Sequence, residues 1–168
     1  MTQMTTEEAF VKVLQMHGIE CAFGIIGSAF MPISDLFPKA GIKFYDVAHE
    51  CNGGMMGDGY TRASGKMSMI IAQNGPGITN FVTPVKTAYW NHTPMLLVTP
   101  QAANKTMGQG GFQEVEQMAL FKDMVCYRGT RCIAHGGGTE PGDMQSHQRV
   151  CAGTDQRTKG SVDPGDRH

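Results

Sequence analysis

The stretch Lys43-Phe44-Tyr45-Asp46-Val47-Ala48-His49-Glu50-Cys51-Asn52-Gly53-Gly54-Met55-Met56-Gly57-Asp58-Gly59 decides the fold. Lys43 to Ala48 reads as a strand, and Cys51 to Ser64 as a small-residue helix ended by Gly65. His49-Glu50 stands at the joint between them. A carboxylate at the mouth of a parallel sheet can be held partly dry and can act on a ligand by accepting or donating a proton. Each Gly in a helix interior loses about 0.8 to 1 kcal/mol against Ala. Gly53, Gly54, Gly57 and Gly59 therefore predict close approach of another surface, either a ligand or a second chain.

Outward from this joint the chain alternates helix and strand. Thr5 followed by Glu8 is a capping-box pattern, and Phe10, Val13, Leu14 and His17 recur at helical spacing before Gly18. Cys21 to Ile26 reads as a buried strand, and Ala29 to Phe37 leaves room for a short helix between Pro32 and Pro38. Met67 to Ala72 is a third strand. Asn74-Gly75-Pro76-Gly77 turns into an Ile78 to Trp90 helix that Pro84 should kink. Met95 to Thr99 is a fourth strand, and Gln113 to Phe121 a short helix. This alternation predicts an α/β fold, a three-layer domain with a mostly parallel central sheet. Ligands collect outside the carboxyl ends of such strands. There the order of segments brings together Ile26-Gly27-Ser28, His49-Glu50 and Asn74 to Gly77. One carboxylate, two glycine turns and no positive charge suit a neutral heterocycle better than a phosphate.

Composition narrows the partners. With 168 residues the chain suits one ordinary domain, and a net charge of −1 gives no field for nucleic acid or an anionic membrane. The start carries Glu7 and Glu8 and lacks a signal-peptide pattern, and nothing reaches about 18 consecutive apolar residues. A cytoplasmic protein is expected. Five cysteines without a CxxC pair predict reduced thiols rather than a disulfide frame or a zinc site. Met55, Met56, Met67 and Met69 read most simply as core filler.

The chain changes character near residue 127. All four Tyr, all eight Phe and the single Trp lie at or before Tyr127, and Gly129 to His168 hold eight Gly and eight apolar residues. Such a stretch cannot build a core and reads as a disordered tail. A second reading is a change of frame near Arg128. With suitable codons, His135 to Asp143 read one base later encodes MAEVLNRV, a helical pattern, and Val150 to Ser161 in the same offset encodes CAPAQINVPRD. The expected organisation is a domain over 1–127 and an out-of-frame tail over 128–168.

Three segments carry a resemblance: His49-Glu50, then Asp58-Gly59-Tyr60-Thr61-Arg62-Ala63-Ser64-Gly65, then Asn74-Gly75-Pro76-Gly77-Ile78-Thr79-Asn80. In this order and spacing, Met4 to Tyr127 resembles the N-terminal pyrimidine-binding domain of the thiamine-diphosphate-dependent enzymes. The resemblance implies thiamine diphosphate as cofactor. It implies that Glu50 is the catalytic residue, hydrogen-bonding ring nitrogen N1′ of the aminopyrimidine and assisting loss of the thiazolium C2 proton. Aspartate there would fall one carbon short. It also implies cofactor contacts at Ile26, Gly75, Pro76 and Asn80, and substrate contacts at Phe112 and Gln113. Magnesium is expected only in the complete, homo-oligomeric enzyme, where a C-terminal domain holds it, so no metal site is expected in this chain. Gly57-Asp58-Gly59 is a false match to the magnesium motif, because no Asn-Asn pair follows.

Within the family, Gly24 to Asp35, Tyr89 to Pro94 and Gly108 to Glu114 are similar to a branch that transfers an acetyl unit from a sulfonated aldehyde to phosphate. The acetolactate-forming branch is the second reading. A chain of this kind is expected to be inactive alone. Each residue also has a plainer explanation. Glu50 read alone is an ordinary surface carboxylate, and Asn74 to Gly77 a strand-to-helix turn. His49 either orients the turn or meets substrate, and Phe112 and Gln113 fit a dimer interface equally. An alternative of another class is a non-catalytic α/β module binding a small heterocycle or a protein.

Overall fold

The structure, a computed structural model, describes residues 4–102, 106–134 and 144–152, with the backbone alone for 127–134 and 144–152. Helix α1 (Thr6–Met16) opens with the expected capping box: the Glu8 amide donates to Thr5 Oγ1 and the Thr5 amide to the Glu8 carboxylate. Strand β1 (Cys21–Gly24) follows, then the one-turn helices α2 (Met31–Ser34) and α3 (Phe37–Ala40), each with Pro in its first turn. Strand β2 (Lys43–Asp46) leads into helix α4 (Glu50–Ser64), which Gly65 ends in the left-handed conformation. Strand β3 (Ser68–Ile71), helices α5 (Pro76–Thr79) and α6 (Val82–Trp90), strand β4 (Met95–Pro100) and helix α7 (Gln117–Leu120) follow, and the one short helix expected over Ala29 to Phe37 is instead the pair α2 and α3, since a Pro at the second position starts a turn at each.

Strands β2, β1, β3 and β4 lie side by side in that order and run parallel. The alternation of side chains along them builds two cores. Ala22, Met69, Ile71, Leu96 and Val98 face α1, α2 and α3, packing with Val11, Leu14, Ile33 and Phe37. Cys21, Phe23, Ile70, Ala72, Met95 and Leu97 face the other way, onto Ile78, Phe81, Val85 and Ala88 of α5, α6 and their junction. Two buried faces on β1, β3 and β4 explain the apolar runs in the sequence, and they make the three layers, while β2 is an edge strand with Lys43, Tyr45 and Asp46 exposed. The strand order reverses direction between β1 and β3, which puts a crevice at their carboxyl ends.

Several elements differ from expectation. The single kinked helix over Ile78 to Trp90 is two helices that part at Asn80-Phe81. Pro84 is the third residue of α6, where its missing N–H has no helical partner to lose, so it starts a helix instead of bending one. The Gln113 to Phe121 helix shrinks to α7, because Gln113 sits at φ 56° and cannot begin a right-handed turn. Met69 is core filler, but Met55 and Met56 are exposed on α4.

The surface close to the α4 glycines is the chain's own. A Cβ on Gly53 would stand 3.0 Å from the backbone of Gly24, on Gly54 2.4 Å from the Pro84 ring, and on Gly57 2.9 Å from Ile70. Gly59 faces open space.

Beyond Cys126 the backbone alone is described, in two segments. Strand β5 (Tyr127–Ala134) pairs antiparallel with strand β6 (Met144–Ala152), and β6 pairs antiparallel with β4. The edge of β4 presents unpaired backbone donors and acceptors, which any extended segment without Pro can meet whatever its side chains. The rest of the expected tail, at 135–143 and 153–168, lies outside the described residues.

Candidate functional site

Glu50 is the first residue of α4, so the turn after β2 delivers its carboxylate to the carboxyl end of the sheet. His49 holds the joint in shape. Its backbone is extended (φ −152°, ψ 135°), and its Nδ1 accepts a hydrogen bond from the Cys51 amide at 3.2 Å. Of the two roles open to His49, the structure supplies the orienting one, an N-cap.

The break between α5 and α6 completes the arrangement. Asn80 ends α5, and its Nδ2 donates to Glu50 Oε2 at 2.8 Å. The other oxygen, Oε1, has no partner among the described residues and lies 3.3 Å from where a Cβ on Gly77 would stand. One oxygen is therefore oriented by a neutral amide while the other faces the turn after β3. A half-exposed carboxylate so placed can accept a hydrogen bond from, or pass a proton to, a ring nitrogen of a flat ligand.

Gly75 joins this cradle to a loop. It adopts φ 73° and ψ −122°, and a Cβ there would lie 2.7 Å from both Cβ and the carbonyl oxygen of Gln113. Only glycine permits that turn and that approach. Asn74, buried beside it, donates through Nδ2 to the Gln113 carbonyl at 3.1 Å. The loop itself is held by Glu114, whose carboxylate accepts from the amides of Gly108 and Gly111. These two bonds, with a third from Gly110, hold the Glu114 carboxyl below the usual glutamate range.

The structure thus brings together Glu50, Asn80, Gly75, Pro76 and Gln113 of the expected residues. Pro76 is the exposed first residue of α5. Ile26 lies just past β1, half-buried and packed against the α1 core. Phe112 is 86% exposed. Sequence reasoning assigned no role to Asn74 or Glu114. Asn74 had a signal, its place directly before Gly-Pro-Gly; a single Glu after a loop has none.

Asp58, in the false magnesium motif, lies inside α4 and pairs with Arg62 at 3.0 Å. Among the described residues no three His, Cys, Asp or Glu side chains form a group able to hold a metal ion. No described helix is long and apolar enough to cross a membrane. Cys21, Cys51 and Cys126 are free thiols.

Comparison with known proteins shows the family. Residues 4–120 match the family described as "Thiamine pyrophosphate enzyme, N-terminal TPP binding domain", thiamine pyrophosphate being another name for thiamine diphosphate. Over 126 residues the chain is 85% identical to a sulfoacetaldehyde acetyltransferase of Roseovarius nubinhibens and 82% identical to one of Rhodobacter capsulatus. Each alignment takes 75% of this chain and 21% of the relative, so the chain spans about a fifth of their length. A thiamine diphosphate-dependent 4-hydroxybenzoylformate decarboxylase of Rhodococcus jostii shares the fold, with a TM-score of 0.68 at 23% identity over 73% of this chain and 23% of that one.

Proposed function

Because the chain belongs to the thiamine pyrophosphate enzymes, through their N-terminal TPP binding domain, we propose that it is the pyrimidine-binding part of a sulfoacetaldehyde acetyltransferase. The complete enzyme would convert sulfoacetaldehyde and phosphate to acetyl phosphate and sulfite, as a cytoplasmic homo-oligomer. The observation that carries the cofactor assignment is the Glu50 carboxylate, with one oxygen held by Asn80 and the other turned to the Gly77 cradle. The identities of 82% and 85% support the substrate.

When bound, thiamine diphosphate supplies a nucleophilic carbon for attack on the aldehyde carbonyl. The residues of this chain do the rest at the pyrimidine end. Glu50 would hold ring nitrogen N1′ and move a proton there, Asn80 would keep the carboxylate turned to that task, and His49 would fix the turn that carries it. Gly75, Pro76 and Ile26 would line the ring, and Phe112 and Gln113 would reach the substrate. Magnesium and the diphosphate would belong to a domain outside this chain. We also propose that the family's own sequence runs to about residue 127 and that 128–168 is read out of frame. Sequencing the nucleotides around codon 128 tests this, and an undisturbed frame to His168 would overturn it.

The function is tested by grafting residues 1–127 into the Roseovarius nubinhibens relative in place of its matching segment. The graft should release sulfite from sulfoacetaldehyde and phosphate when thiamine diphosphate and magnesium are added. Glu50→Gln in the graft should lower the rate at least about 100-fold. Full activity in that variant would defeat the mechanism, and acetolactate formed from pyruvate in place of sulfite release would favour the second branch. A graft that binds thiamine but turns over neither substrate would favour a non-catalytic module.

A further inference from the structure

We propose that the outer edge of β2 pairs antiparallel with the same edge of a second copy of this chain, joining two sheets about a two-fold axis at Tyr45. The pairing goes beyond the cofactor site and does not depend on it. The strands lie in the order β2-β1-β3-β4-β6-β5, so β2 has a strand on one side only. The Lys43 amide donates to the Glu20 carbonyl at 2.8 Å, which turns the backbone groups of Lys43 and Tyr45 toward β1. Those of Phe44 and Asp46 alternate with them and point outward. No strand among the described residues meets them, and such a row is a template for another chain.

The register decides in favour of a second copy. In an antiparallel pair, outward residues must stand opposite outward residues. With Phe44 opposite Asp46 of the second copy, each of the two such pairs exchanges both backbone bonds, and Tyr45 falls opposite Tyr45 of the second copy. A shift one way sets Ile42 opposite Asp46, but the Ile42 amide is already spent on the Phe37 carbonyl at 3.0 Å. A shift the other way sets Asp46 against Asp46 of the second copy, and like charges directly opposite repel. The central register alone escapes both faults.

The side chains in that register fit themselves. Tyr45 is 42% exposed, and its ring stacks on Phe23 with centroids 5.2 Å apart and 14° between the planes. Tyr45 of the second copy would carry this row of rings across the axis as an aromatic cross-strand pair. Lys43 shares the face of Tyr45 and stands opposite Val47 of the second copy, diagonal to the tyrosine ring there, within reach of a cation–π contact. Asp46 meets Phe44 on the other face. The two-fold axis uses the same residues on both copies and closes the assembly at two.

The test follows the full 168-residue chain by sedimentation equilibrium. One short strand a side is a small interface and associates weakly, so the wild type should pass from monomer to dimer as concentration rises. Tyr45→Lys sets like charges face to face in place of two rings and should raise the dissociation constant at least about fivefold, while Tyr45→Phe should keep it within about twofold. Asp46→Pro deletes an outward amide without touching the bonds to β1, and should also weaken the dimer. Thermal midpoints show which variants are folded. Tyr45→Cys reads the register and stands even where Tyr45→Lys fails to fold. Cα atoms of a non-hydrogen-bonded antiparallel pair lie about 4.5 Å apart, within the span of a disulfide. Oxidation should therefore join two copies at position 45, located by peptide mapping, and Asp46→Cys should give no link at position 46. A wild type that stays monomeric at every concentration, association unchanged in a folded Tyr45→Lys variant, or linkage as efficient at 46 as at 45 would overturn the proposal.

Discussion

The Glu50 cradle and the 106–114 loop lie side by side but are held by different means. The cradle sits on the ends of regular elements, the end of β2, the start of α4 and the short α5, joined by the side-chain hydrogen bond from Asn80 to Glu50. The loop is held by side chains that borrow backbone donors, chiefly Glu114 on Gly108 and Gly111, and by Asn74 on Gln113. Helix ends and close-packed turns leave little to vary in the cradle. A loop hung on one carboxylate can change its residues without disturbing the sheet.

Gly75 is where the two regions meet, so breaking it should have the largest effect. Gly75→Ala would strain a positive φ and drive a methyl into Gln113, lowering stability by about 2 to 4 kcal/mol in urea unfolding. An unchanged midpoint would mean the turn and loop are not joined as described. Asn80→Leu strikes the cradle alone. It removes a hydrogen bond to a charged oxygen, so affinity for 4-amino-2,5-dimethylpyrimidine should fall about tenfold or more, and equal affinity would remove Asn80 from the site.

Asn74→Ala should loosen the loop alone, by about 1 kcal/mol. Hydrogen exchange would read this as faster amides from Gly108 to Glu114 with those of α4 unchanged; equal change in both would erase the distinction. The smallest effect is that of pH. The folded Glu114 carboxyl lies below its unfolded value, so its hold on the loop is complete above the ordinary glutamate range and is lost as pH falls through the lowered folded value. Amides of Gly108 and Gly111 should lose protection in that acidic window, after correction for intrinsic exchange, and Glu114→Gln should abolish the dependence. A window that persists in the variant would point to another carboxylate.

The parallel sheet was legible because β3 and β4 bury both faces and so read as apolar runs, as at Met69 to Ala72. Two of the three ordered segments, His49-Glu50 and Asn74 to Asn80, meet through the hydrogen bond from Asn80 to Glu50. The glycines of α4 announced close packing but not its partner, since a missing Cβ does not name its neighbour. Pro84 misled because proline signals a helix start as readily as a kink, and the chain breaks four residues earlier, at Asn80. Glu114 was silent because its role comes from the loop amides that the turns bring near it. The β5–β6 pairing was illegible because it depends on a free edge elsewhere in the chain.

The glycine stripe of α4 sets a dimension. With no side chain at Gly53 or Gly57, the height of the helix above the sheet is fixed by backbone contact with Gly24 and by Ile70, much as a gauge block is fixed by its ground faces. Glu50 stands at the end of that block and inherits its height. A methyl added at Gly57, seven residues away, would therefore misplace the carboxylate without touching it, an error of measurement in which every group of the site is still present.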